Sequence, residues 1–154
     1  MDIYSQLKSD HDELRRLLEQ IGDSGQRAPK KREAAFQDFK LALLVHSKVE
    51  EAVFYSQLKY LPELKTPELE AENEHRVAGL LLEELGTMPN DTPEWTAKFM
   101  MLRELLEHHI EEEEAELFKK ARQALSEELA EDLGTRMRNR SLVVKAALQP
   151  VPIQ

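Results

Sequence analysis

Four apolar stripes run along this chain, and each carries a histidine at its middle, in the order His, His-x3-Glu, His, His-x3-Glu. The stripes are Tyr4, Leu7, His11, Leu14, Leu18, Ile21; Phe36, Phe39, Leu43, His46, Glu50, Val53; Ala71, His75, Ala78, Leu82, Leu85; and Leu102, Leu106, His109, Glu113, Leu117. Steps of three and four place such residues on one face of an α-helix. Between them lie GDSGQRAP (22–29), LPELKTP (61–67) and GTMPNDTP (86–93), which mix Gly, Pro and capping residues. Thr66-Pro67 and Thr92-Pro93 read as an N-cap followed by proline at the first helical position, and Ser126 as the start of another helix. The pattern predicts helices near 2–22, 30–60, 67–86, 93–125 and 127–147. The expected fold is all-α: an antiparallel up-down four-helix bundle (1–125), a C-terminal helix on or beside it (126–148) and a flexible tail (149–154).

Composition limits the chemistry. The 154 residues include no cysteine, so disulfides, thiolate metal sites and cysteine nucleophiles are excluded, and any metal must be held by His, Asp, Glu or Tyr. A net charge of −9 argues against a nucleic-acid surface. No apolar run is long enough to span a bilayer. The opening MDIYSQLKSDHDELRR has acidic residues and no apolar h-region, so the expected location is cytoplasmic.

The chain also repeats itself. HSKVEEAVF at 46 aligns with HIEEEEAEL at 109, an offset of 63, and His11 aligns with His75 at an offset of 64. Both His108-x3-Glu112 and His109-x3-Glu113 have the helical spacing, but only the second lies in register with the repeat and with Leu102, Leu106 and Leu117. His108, on a stripe with Glu104, Glu112 and Lys119, should face water, as should most of the glutamate run at 111–116.

One His-x3-Glu on a helix is ordinarily an exposed pair worth a few tenths of a kcal/mol. Here a metal-free core would hold four imidazoles and two carboxylates at one level, and buried carboxylates cost several kcal/mol each unless paired or neutralised. Cations resolve that conflict. Imidazole and carboxylate suit iron, manganese or zinc better than calcium or magnesium. Two ions can use all six residues if each Glu bridges them and each ion takes two histidines. An oxide or hydroxide bridge would add a fifth ligand and leave one position open to a small molecule.

These residues, His11, HSKVE with His46 and Glu50, His75, and His109-x3-Glu113, resemble the hemerythrin-like, HHE cation-binding domain family over roughly residues 3–125. The resemblance implies two non-haem iron ions in the bundle, with an oxo or hydroxo bridge. The ligands it implies are His11, His46, Glu50, His75, His109 and Glu113, with Glu50 and Glu113 bridging. Oxygen-carrying members have a second His four residues after the one on helix three, where this chain has Gly79, and a final Asp five residues after the last His, where it has Glu113 at four. One nitrogen ligand fewer gives a more open site, closer to members associated with peroxide, nitric oxide or iron handling.

Other residues have plainer readings. Glu72 and Glu74 could orient an imidazole but read better as surface glutamates, Tyr4 reads as core packing, and the angle of Tyr55 from Glu50 turns it away from the site. Ferritin-type centres rely on Glu-x-x-His pairs, and Glu72-x-x-His75 is an isolated instance. The last helix combines Arg136, Arg138, Arg140 and Lys145 with an apolar edge of Leu129, Leu133, Met137 and Val144. It could cover the bundle, pair with the acidic surface of a second copy in a homodimer, or bind a partner; covering the bundle is the plainest. The expected function is a di-iron protein that binds or reduces O2, peroxide or nitric oxide, with an iron-sensing or iron-storage module as the alternative. No side chain beyond the ligands stands out as an acid or base, so whether the chain is an enzyme stays open.

Overall fold

The computed structural model describes residues 1–149, all helix and short connections. We number five helices: α1 (Ile3–Ser24), α2 (29–58), α3 (Lys65–Thr87), α4 (93–124) and α5 (Glu127–Leu148). The flexible tail expected at 149–154 falls, beyond Gln149, outside the described residues. Among the described residues no helix is long and apolar enough to cross a membrane.

Three starts follow from local chemistry. Asp2, Thr92 and Ser126 each cap a helix by accepting a bond from the backbone N–H three residues on, that of Ser5, Trp95 and Leu129. The expected start at Thr66-Pro67 is displaced. Buried Leu64 closes a turn onto Leu61 and its carbonyl already accepts from Glu68 N–H, so α3 begins at Lys65 without a side-chain cap. Pro67 then sits in the first turn, where a missing N–H costs nothing.

The first four helices form the up-down bundle, α1 against α2 and α3 against α4, and α5 lies across α1 and α2. Every residue of the four sequence stripes is buried. On α5, Leu133 and Met137 are buried, while Leu129 and Val144 pack partly buried against the same cluster. Gly134 allows this docking, since a Cβ there would stand 2.2 Å from the Met1 carbonyl.

Two apolar layers stabilise the bundle. One gathers Leu14, Leu18, Phe36, Phe39, Leu82, Trp95 and Phe99; the other gathers Ile3, Tyr4, Phe54, Leu58, Leu117, Phe118 and Leu133. Tyr4 packs edge-on against Phe54 and Phe118, the core role its stripe suggested. His11, His46, His75 and His109 stand on the stripes between the two layers.

Candidate metal centre

Each of α2 and α4 contains one turn wound wider than α, which the 3.6-residue reading does not foresee. Glu51–Tyr55 and Glu113–Leu117 have the π form: Ser56 N–H donates to Glu51 O and Phe118 N–H to Glu113 O, five residues back. The two turns lie 62 residues apart, one residue out of register with the 63-residue repeat: the first begins just after Glu50 and the second at Glu113. π turns of this kind occur frequently at functional sites.

All six sequence-predicted residues come together, none more than 7 % exposed. His11, His46 and Glu50 offer ligand atoms within 4.8 Å of one another, and so do Glu50, His75 and His109. Glu50 Oε1 lies 3.3 Å from His46 Nε2 and 3.1 Å from His75 Nε2. Glu113 spans the other diagonal, with Oε1 3.2 Å from His11 Nε2 and Oε2 3.5 Å from His109 Nε2. Each carboxylate thus faces one histidine of each pair.

These atoms are close without being hydrogen-bonded. His11 Nε2, His109 Nε2, both oxygens of Glu50 and Glu113 Oε1 are buried with no aligned partner. A native core rarely leaves so many polar atoms unsatisfied at one point. Two donor atoms each about 2.1 Å from one ion, at right angles to each other, stand about 3 Å apart. The His–Glu separations match that spacing, so the donor set fits cations.

Behind the histidines stand more carboxylates. Nδ1 of His46 donates to Asp10 at 2.9 Å, that of His109 to Glu74 at 2.9 Å and that of His11 to Glu114 at 2.7 Å. An ionised carboxylate only accepts, so Nδ1 carries a proton and Nε2 is the nitrogen turned inward, the orientation a metal ligand needs. Glu51 takes the equivalent place beside His75 Nδ1, at 3.7 Å, too long for a hydrogen bond. Glu74, read from sequence as a surface residue, is therefore an orienting partner. Glu72 has no such contact with a histidine among the described hydrogen bonds.

The arrangement is doubled. The acidic residue before each lone histidine (Asp10, Glu74) supports the histidine of the next helix. The one after each inward glutamate (Glu51, Glu114) faces a lone histidine. The repeat offsets of 63 and 64 carry one half onto the other, a signal for these partners that was present in the sequence.

Tyr55 departs from its expected place. Its hydroxyl donates a short hydrogen bond to Glu113 Oε2 and lies 3.4 Å from His75 Nε2, inside the site. The wide turn that follows Glu50 rotates it inward. Its repeat counterpart, Phe118, stacks on the His11 ring instead. His108 is exposed as expected, paired with Glu112 at 3.0 Å.

Without a cation between them, the charged groups of the site adjust to one another. Burial lowers the His75 pKa, but the carboxylates of Glu50 and Glu51 outweigh it and hold the ring up at about 9. His11 and His46 are likewise raised: burial pulls each down, and the facing Glu113 and Glu50 respectively pull it up further. Burial and the neighbouring Glu50 raise Glu113. Burial and Glu113 push the Tyr55 phenol well above its usual value, so it keeps its proton.

Clefts among the described residues reach the centre from two sides. A cleft of about 260 Å³ between α3 and α4 is lined by Ala71, Glu74, His109, Glu112 and Glu113, among others. A larger groove of about 390 Å³ touches the site only at His46 and its partner Asp10.

Comparison with known proteins gives the family and the fold. Residues 2–121 match the family model described as Hemerythrin HHE cation binding domain. The crystal structure of a Hemerythrin HHE cation binding domain-containing protein from Mycobacterium kansasii has the same fold, with a TM-score of 0.83 at 23% identity over 96% of this chain and 89% of that one. A curated relative described as a DNA nickase, from Nostoc sp., is 27% identical over 136 residues, which is 88% of this chain. The chain spans 38% of that relative's length.

Proposed function

The chain belongs to the Hemerythrin HHE cation binding domain family, and from that premise we propose that its bundle holds a carboxylate-bridged pair of non-haem iron ions that binds or reduces a small oxidant. His11 and His46 would hold one ion and His75 and His109 the other, with Glu50 and Glu113 shared between them. The observation that carries this reading is the set of buried His and Glu donor atoms 3.1–3.5 Å apart, of which His11 Nε2, His109 Nε2, Glu50 Oε1 and Glu113 Oε1 have no hydrogen-bond partner. When bound, the iron pair would supply a redox change and an open coordination position for O2, peroxide or nitric oxide.

The chain's own residues supply the rest. Asp10, Glu74 and Glu114 fix imidazole tautomers and ring orientation. The apolar layers on either side exclude bulk water. Tyr55 holds a proton at its hydroxyl against Glu113, beside the place where an oxidant would be reduced. The α3–α4 cleft gives a small molecule a path to His109 and Glu113. The nicking named for the Nostoc protein stays with that protein, because the match spans 38% of its length.

Anaerobic loading with Fe(II) followed by a peroxide pulse tests the reading. Rapid consumption of several equivalents per chain supports it. A metal-dependent change in helicity or assembly without turnover favours the sensing or storage alternative.

A further inference from the structure

The α3–α4 cleft ends inward at His109 and Glu113 and outward at a second set of ligand-type side chains. Glu74 of α3 and His108 and Glu112 of α4 offer three atoms within 4.8 Å of one another. Glu74 and Glu112 line the cleft itself. Taken alone, His108 and Glu112 are a solvated i,i+4 pair of little energy. Two observations make them more. A third donor comes from the neighbouring helix, and the same cleft is lined by His109 and Glu113, which also carry buried atoms without a hydrogen-bond partner, Nε2 and Oε1, in the inner site.

We propose that Glu74, His108 and Glu112 form an outer divalent-cation site, where metal is captured before it passes along the cleft to His109 and Glu113. The proposal rests on the reading of the buried centre as a metal pair. One imidazole and two carboxylates suit a first-row divalent ion. The side chains of His108 and Glu112 are 69 % and 49 % exposed, so the ion there stays partly hydrated and exchangeable. A hydrated ion cannot enter a fully buried cage in one step. A half-exposed site replaces its waters in stages. Glu74 belongs to both sites: one carboxylate oxygen accepts from His109 Nδ1, and the other is free to face the outer ion. Glu70 and Glu116 add negative charge along the same cleft, against one positive charge from Lys120, and the negative balance draws cations toward it.

The test uses Co(II), which stays divalent and reports its ligands by absorbance. The double variant His108→Ala/Glu112→Gln removes the outer ligands and keeps Glu74, whose loss would also disturb His109. Glu19→Gln, exposed on α1, removes the same formal charge elsewhere. The expected result is the same tight Co(II) stoichiometry in all three proteins, loss of one weaker Co(II) in the double variant, and loading about tenfold slower in that variant alone. Loading of the double variant at the wild-type rate would overturn the proposal, as would equal slowing in Glu19→Gln. Failure of the wild type to take up any tight Co(II) would overturn the buried-centre reading itself, a result distinct from the other two.

Discussion

Tyr55 donates its phenolic hydrogen to Glu113, joining α2 to α4 across the site. In a regular α-helix Tyr55 would lie about 140° around the axis from Glu50, facing away. The turn at Glu51–Tyr55 closes over five residues, which returns residue 55 toward the face of residue 50.

Tyr55→Phe keeps the ring and removes that donor. The metal-free protein should lose about 1–3 kcal/mol in urea unfolding, since a buried carboxylate oxygen loses its partner. An unchanged unfolding midpoint would show that the bond contributes nothing.

Asp10→Asn tests the carboxylates behind the imidazoles. It leaves every direct donor in place but weakens the hold on the His46 tautomer. Metal affinity by competition with a chelator should fall about 10–100-fold while helicity stays the same. Wild-type affinity would remove the orienting role.

Much of this centre was legible in the chain, and what was missed was missed for physical reasons. The apolar steps of three and four found all four bundle helices, because each stripe is buried along its whole length. The six inward polar residues stood out because apolar surroundings make them costly. The π turns were invisible, since Val53, Phe54 and Leu58 continue an apolar pattern that a regular helix would also show. Misplacing Tyr55 followed directly. Asp10, Glu51 and Glu114 act across helix interfaces, and helix pairing is not a local property. The repeat did carry them, as the acidic neighbours of His11 and His75 and of Glu50 and Glu113.

The metal-free protein should lose stability as pH rises from about 6.5 to about 9. His75 has a folded pKa of about 9 against an ordinary 6.5, and His11 and His46 are also raised. A raised histidine stabilises the fold fully below its unfolded pKa and loses that contribution as pH passes its folded one. Metal loading replaces these protons, so the extra stability from bound metal should grow over the same range. Thermal unfolding with and without metal measures both. A metal-free protein whose stability is flat or rising over that range would contradict the charge arrangement.

Glu68 is a buried carboxylate outside the centre, fully covered and with neither oxygen partnered. Burial and the adjacent Glu72 raise its pKa to about 7. Its ionisation therefore costs stability as pH rises from about 4.5 through 7, at most about 3 kcal/mol. Glu68→Gln should stabilise the protein at pH 8 and change little at pH 4.5. Destabilisation at pH 8 would mean that the charge has a partner in solution.

The most direct measurement is iron per chain after anaerobic Fe(II) loading, for the wild type and for Glu113→Ala, with helicity checked in both. Two irons in the wild type and clear loss in the folded variant are the predicted result, because Glu113 faces one histidine of each pair. No iron above background in either protein, or two in both, would contradict the bridged centre.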